Sequence, residues 1–274
     1  MRRRLSAWLI DLRARRAFDA IDRLAYWRRL ALTARRNRAF RAAHPEFATP
    51  PLSILWDAQA TTDLAEYKRS GEESAQQYWA LIQRHLDPPS DRAARICEWG
   101  CGPGRIVRHL PGLAAAWPAE FYGSDYNPAS IAWCRTHLPG VTFLQNGLAP
   151  PLPVADGFFD LLFCRSVFTH LSARMHEAWV AELRRAARPA GVVILTTHGD
   201  AYRPRLTARE RVRYDAGELV VRTLGAEGRK LYAAFHPPSW VRAHLLRDLS
   251  VIDYLPGDGT QDIWVTRRPD RRVG

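Results

Sequence analysis

Between residues 95 and 197 the chain repeats one motif of patterning: a short apolar run, then a polar or helically spaced stretch. The runs at 95–99, 120–124, 141–145, 159–164 and 192–197 read as buried strands. The segments between them read as helices, over 104–110, from the Asn127-Pro128 cap onward, and over 172–187, where Met175, Trp179, Leu183 and Ala186 share a face. Strands separated by helices need crossover connections, which predicts a doubly wound α/β sheet. The end of the chain changes character. A helix over 239–247, a strand over 250–255, a Pro256-Gly257-Asp258-Gly259 turn and a strand over 262–266 predict an antiparallel hairpin, giving seven strands in all. Upstream, Tyr78, Trp79, Ile82 and Leu86 fall on one helix face, and Ser70 with Glu73 has the form of a capping box at its start.

The first 43 residues carry helical spacing with a basic surround. Leu5, Trp8, Leu9 and Leu12 share a face, as do Ile21, Leu24, Ala25 and Trp27, with arginine on the other sides. This basic amphipathic arm, assigned to 1–49, can cover its own domain, grip a protein partner, lie on anionic lipid or contact nucleic acid. The pairs His44-Pro45 and Pro50-Pro51 separate it from a main domain over 50–269, followed by a tail at 270–274.

Composition changes this picture mainly by locating charge. The 274 residues are 47% hydrophobic, enough for one sizeable core, and the formal net charge is +12. Thirteen arginines stand against three aspartates within residues 1–43, so the rest of the chain is nearly balanced. Nucleic acid is therefore disfavoured as a partner. Cys97, Cys101, Cys134 and Cys164 form no C-x-x-C pair and have no histidines at zinc spacing, so buried free thiols are expected and no metal site. The Leu5–Ile10 run is too short for a signal-peptide core, and no segment approaches the ~20 apolar residues of a membrane span. A cytoplasmic protein is expected, with peripheral attachment to the inner face of the membrane through the arm left open.

The densest chemical signal is Glu98-Trp99-Gly100-Cys101-Gly102-Pro103-Gly104, a strand that breaks into three alternating glycines. Missing side chains at such a turn let a cofactor approach the backbone. A dinucleotide turn needs its third glycine one residue later, where Arg105 stands. The pattern E-x-G-x-G-x-G instead resembles the first motif of class I S-adenosylmethionine-dependent methyltransferases. The resemblance implies a seven-stranded, mostly parallel Rossmann-like sheet with an antiparallel C-terminal strand and an N-terminal helical extension. It implies S-adenosylmethionine as cofactor, with Gly100, Gly102 and Gly104 under its methionine part and Glu98 facing the ammonium. Asp125, closing the second strand, is placed to take the ribose hydroxyls. Tyr126 would lean on the adenine, with Asn146 and Gly147 at its amino group and Arg165 also among the cofactor-binding residues. The runs Arg165 to Leu171, Pro150 to Pro153 and Arg184 to Gly191 further resemble a bacterial methyltransferase group associated with glycan and cell-surface biosynthesis. Ala190 departs from it, standing where many relatives have glycine, a change expected to matter little.

Methyl transfer to a hydroxyl needs a base, and His170, just past the fourth strand, is the candidate. His198 and His236 are candidate substrate contacts. The long stretch 200–238 reads as a lid with short helices. Two other readings stay open beside methyl transfer to a hydroxyl of a small-molecule or glycan acceptor. One is a nucleic-acid methyltransferase, although Asn-Pro-Pro-Tyr is absent after the fourth strand; the other is a non-catalytic cofactor-binding scaffold recruited by the arm. Oligomeric state is not legible.

Overall fold

The computed structural model describes residues 2–223 and 225–270, with side chains in the first helix from residue 20 onward. The expected face of Leu5, Trp8, Leu9 and Leu12 and most of the tail at 270–274 lie outside the described residues. The helices are α1 (Arg2–Ala43), α2 (Leu52–Gln59), α3 (Leu64–His85), α4 (Leu110–Leu113), α5 (Pro128–His137), α6 (Ala173–Ala186), α7 (Ala208–Asp215) and α8 (Pro238–Trp240). The strands are β1 (Ala94–Trp99), β2 (Ala119–Asp125), β3 (Val141–Gln145), β4 (Phe159–Phe163), β5 (Ala187–Thr197), β6 (Val220–Thr223), β7 (Tyr232–Phe235), β8 (Ser250–Leu255) and β9 (Asp262–Arg267).

Seven strands form one sheet in the order β3-β2-β1-β4-β5-β9-β8, with β1 to β5 parallel and β9 inserted antiparallel between β5 and β8. This is the Rossmann-like methyltransferase fold that the patterning and the glycine motif implied. Alternate residues of each strand feed two cores. Ile96, Leu161, Phe163 and Val192 pack under α3 to α5, while Cys97, Leu162, Val193 and Leu195 pack under α6 and the C-terminal turn. Strands buried on both faces read as continuous apolar runs, and so these were visible in sequence.

Several expected boundaries moved. Helix α3 begins at Leu64, capped by the Asp63 carboxylate, which accepts from the amides of Ala65 and Glu66. Ser70 and Gly71 are therefore mid-helix, and Glu73 pairs with Arg69 rather than closing a capping box. The helix expected over 104–110 is a 3-10 turn at Val107–His109 followed by α4, which Pro111 and Gly112 keep to four residues. The helix expected over 239–247 is α8 followed by a π turn at Val241–Leu245. Strand β5 starts at Ala187, five residues early, and bends at Ala190, whose φ of +56° is a left-handed conformation that costs a non-glycine residue about 1–2 kcal/mol. Residues 200–237 hold a 3-10 turn, α7 and the separate β6–β7 hairpin, where no strands were expected.

Helix α1 docks on the domain through polar and aromatic positions. Thr33 meets Thr62 Oγ1 at 2.9 Å, Asn37 donates to the Thr62 carbonyl at 2.7 Å, and Phe40 packs with Leu55, Leu64 and Tyr67. Ile21, Leu24 and Trp27 stay outside this contact and are exposed. No helix among the described residues is long and apolar enough to cross a membrane.

Candidate active site

The turn after β1 is held open by conformation and by close approach. Gly100, Gly102 and Gly104 have φ of +74°, +52° and +73°. A Cβ on Gly100 would fall 2.3 Å from a Val167 methyl, and one on Gly104 2.5 Å from Leu138. Gly100 and Gly102 face a cavity of about 1140 Å³, whereas Gly104 turns away from it toward α5. Helix α3 braces the turn: Tyr67 donates to the Pro103 carbonyl at 2.8 Å, and Tyr78 to the Cys164 carbonyl at 3.2 Å. Gly71 sets the spacing, because a Cβ there would sit 2.4 Å from the Arg105 carbonyl oxygen. The glycine that sequence reading put near a helix start is a contact point between α3 and the cofactor turn.

The cavity lies at the carboxyl ends of the parallel strands, as an open α/β sheet requires. Glu98, Asp125, Tyr126, Asn146, Gly147 and Arg165 all line it. Glu98 accepts from the Val107 amide at 2.8 Å, and burial pushes its pKa up to about 8. Asp125 is raised too, by burial, against the pull of the backbone amides of Asn127, Gly102 and Tyr126; its two oxygens accept from the Gly102 and Asn127 amides, each at 2.8 Å. Asn146 accepts from Ser124 and donates to the Gly147 carbonyl. Arg105 and Arg165 converge on one hydroxyl: their Nη1 atoms donate to Ser74 Oγ at 3.2 and 2.9 Å. Burial, and then the charge of Arg165, lowers the pKa of Arg105. Two guanidiniums facing a cavity at this spacing suit an anionic group.

The three candidate histidines separate. His170 lines the cavity, and its Nδ1 lies 2.7 Å from the Tyr232 carbonyl, which fixes the proton there and leaves the Nε2 lone pair free. Burial lowers its pKa, so the ring is neutral at neutral pH. His198 sits behind the wall, stacked on Tyr202 at 4.0 Å, with Nδ1 on the Ala234 carbonyl and Nε2 3.3 Å from the Gln261 amide. His236 is fully buried away from the cavity, with its Nε2 2.7 Å from Nε2 of His176. These positions do not bring His198 or His236 to a substrate; a histidine after a strand can equally tie loops together, which is what both do here.

Other residues of the site gave little sign of themselves. Ser166 takes φ +63° beside His170 and accepts from Gln261 at 2.6 Å, while Gln261 accepts from Thr196 at 2.6 Å. The rim is closed by contacts distant in sequence. Lys230 pairs with Asp22 at 2.9 Å and lies 4.0 Å over the Trp56 ring, whose indole N–H donates to Asp22 at 3.0 Å. Across the cavity, Tyr126 donates to the Gly228 carbonyl and the Gly228 amide donates to the His170 carbonyl. Only the rarity of lysine, at positions 68 and 230 alone, set Lys230 apart in sequence.

These residues fit an adenosyl amino acid: a turn without room for side chains, a buried carboxylate on the cavity wall at the end of β2, and a carboxyl and two guanidiniums near the turn. Comparison with known proteins agrees. A family model described as a methyltransferase domain matches residues 97–195. A trans-aconitate 2-methyltransferase from Methylobacterium nodulans is 31% identical over 160 residues, covering 58% of this chain and 57% of that protein. Another, from Azoarcus, is 32% identical over 139 residues, covering 49% and 50%. The chain thus spans about half the length of these curated relatives. Among solved structures, an S-adenosylmethionine-dependent methyltransferase from Methanosarcina mazei superposes with a TM-score of 0.52 at 17% identity, over 70% of this chain and 98% of that one. A magnesium protoporphyrin IX methyltransferase from Synechocystis, with bound SAH, gives 0.50 at 17% identity, over 84% and 94%. The chain has the fold of class I S-adenosylmethionine-dependent methyltransferases, and its residues 97–195 match a methyltransferase domain.

Proposed function

We propose that this chain transfers a methyl group from S-adenosylmethionine to a hydroxyl of a small-molecule acceptor, with His170 as the base. The observation that carries the reading is the setting of His170: its ring lines the cavity with Nδ1 held 2.7 Å from the Tyr232 carbonyl, an arrangement that puts the proton on Nδ1 and leaves Nε2 as the basic nitrogen. The cofactor supplies an electrophilic methyl carbon on a sulfonium. Asp125 would accept from the ribose hydroxyls, Glu98 would face the ammonium, Arg105 and Arg165 would hold the carboxylate, and Tyr126, Asn146 and Gly147 would surround the adenine. His170 Nε2 would take the proton of the acceptor hydroxyl while that oxygen receives the methyl group the cofactor would supply, so that the products would be an ether and S-adenosylhomocysteine. No covalent enzyme intermediate is needed, and the residues act mainly by alignment.

A small acceptor is supported by the names of the curated relatives and by the cavity itself. Arg105, Arg165, Arg229 and Lys230 on its wall are matched by Asp22, Asp57, Glu66, Glu98 and Asp125, so it has no excess of positive charge to draw a phosphate backbone. The segment 200–237 acts in this reading as a lid that selects the acceptor, because it supplies Tyr202 and the Gly228–Lys230 rim. The test is incubation with methyl-labelled cofactor and panels of hydroxylated metabolites and glycan fragments, read by mass spectrometry. One added methyl on a small hydroxylated product is expected. Cofactor binding with no product from any acceptor would turn the reading toward a non-catalytic scaffold, and methylated RNA as product would replace it.

A further inference from the structure

Helix α1 has two faces with different chemistry. Asp22, Tyr26, Thr33, Asn37 and Phe40 face the protein, and Asp22 reaches the cavity rim through Lys230. About half a turn away stand Ile21, Leu24, Trp27 and Leu32, which are 62%, 71%, 63% and 60% exposed. Four large apolar side chains spread over one side of the helix, about 140° wide at 100° per residue, are more than scattered surface residues. They are not alone on that face. Arg28 and Arg35 interleave with Leu24 and Leu32 at helical spacing, and neither pairs with a carboxylate among the described residues. From residue 20 to 43 the chain has seven arginines and one acidic residue, Asp22, which is already engaged by Lys230 and Trp56.

We propose that this outer face of α1 docks the protein on the surface of an anionic lipid bilayer. The apolar side is long enough to enter the acyl boundary but far too short to span it, and tryptophan suits the interfacial layer. Arginine stems lie along apolar surface while their guanidiniums reach lipid phosphates. Charge also selects among occupants. A second copy of the same face would oppose arginine to arginine, and a nucleic-acid backbone would leave Ile21, Leu24, Trp27 and Leu32 without a partner. The surface is independent of the acceptor's identity and of whether methyl transfer occurs.

The test is co-sedimentation of the full chain with vesicles of phosphatidylcholine alone or mixed with phosphatidylglycerol. Binding to the anionic vesicles at least tenfold tighter than to the neutral ones, and falling with added salt, is expected. Leu24→Glu with Trp27→Glu should abolish the binding, and Arg28→Glu with Arg35→Glu should weaken it at least tenfold. Both variants should keep the wild-type melting temperature and cofactor affinity, since the only ring contact among those side chains is that of Trp27 with Tyr26 of the same helix. Equal binding to both vesicles, unchanged binding by the variants, or no binding together with a concentration-dependent dimer in light scattering would overturn the proposal.

Discussion

The two ends of the parallel sheet bury carboxylates under opposite conditions. At the amino end of β4, Asp160 has no exposed surface and is surrounded by positive charge and donors: Arg92 bonds it with two nitrogens at 2.7 and 2.9 Å, Arg188 forms an ion pair with it at 2.6 Å, and the Arg95 amide donates at 2.8 Å. Although burial pulls the other way, these partners hold its pKa below the usual aspartate range. At the carboxyl end of the neighbouring β1, Glu98 is just as deeply buried but its carboxyl is bonded by one amide, and its pKa rises to about 8. A buried charge that is fully paired belongs to the fold. One that is left under-paired beside a cavity is suited to receive a cation, and in the proposed function that cation would be the cofactor's ammonium.

If the division holds, variants at the two ends should separate catalysis from stability. The largest effect belongs to His170→Gln, which keeps a polar side chain but removes the free base. Turnover should fall about 100- to 10,000-fold, while cofactor affinity by calorimetry and the urea midpoint stay near wild type. Full turnover in this variant would remove the base from the mechanism. At the other end, Asp160→Asn strips the charge from the cluster and leaves Arg92 and Arg188 uncompensated. Breaking a buried pair costs about 3–5 kcal/mol, but both guanidiniums keep roughly a third of their surface in water, so about 2–3 kcal/mol is expected in urea unfolding. Cofactor affinity of the folded fraction should not change; a specific loss of affinity would break the comparison.

Sequence patterning reached these two ends unequally. The carboxyl end was legible because parallel strands are continuous apolar runs and because a glycine turn that excludes Cβ atoms leaves its mark on composition. Asp125 followed from its place at the end of β2. Histidine carries no such positional rule: His170, His198 and His236 looked alike in sequence, and only the cavity wall, which His170 joins, and the partners of Nε2, which is Gln261 for His198 and His176 for His236, tell them apart. The rim was hidden for another reason. Asp22, Trp56 and Lys230 come from three segments separated by more than thirty residues at the least, and no local period links them. The capping-box reading at Ser70 failed because Gly71, which looks like a breaker, is used to bring α3 against Arg105. Its helix penalty of about 1 kcal/mol is offset by the close packing it permits.

Buried histidines add a pH dependence that belongs to neither end alone. Burial lowers the pKa of His176 to about 4 and that of His236 well below its ordinary value, and the ring contact between them works in the same direction for His236. Folded-state values below the unfolded 6.5 mean that the unfolded chain takes up protons first as the solution is acidified. Stability is therefore full above about pH 6.5 and declines toward pH 4, by up to about 1.4 kcal/mol per pH unit for each proton. Urea midpoints measured from pH 7 to pH 4.5 should show this fall, and His236→Phe should flatten it. A midpoint that holds steady through this window in the wild-type protein would mean that the pair takes up protons in the folded chain as it does in the unfolded one.

The smallest effect tests Glu98 itself. Its pKa of about 8 leaves it mostly protonated at pH 7, whereas an ammonium beside it favours the carboxylate. Binding should then release a proton below pH 8, and cofactor affinity should climb with pH by at most about tenfold per unit before levelling off. Calorimetry in buffers of different ionisation enthalpy reads that proton directly. Glu98→Gln should bind about tenfold more weakly at pH 8, lose the pH slope, and unfold at a urea concentration equal to or above wild type, because the buried carboxyl no longer has to be accommodated. If Glu98→Gln instead destabilised the fold as Asp160→Asn does and left affinity untouched, the two ends of the sheet would be the same kind of place.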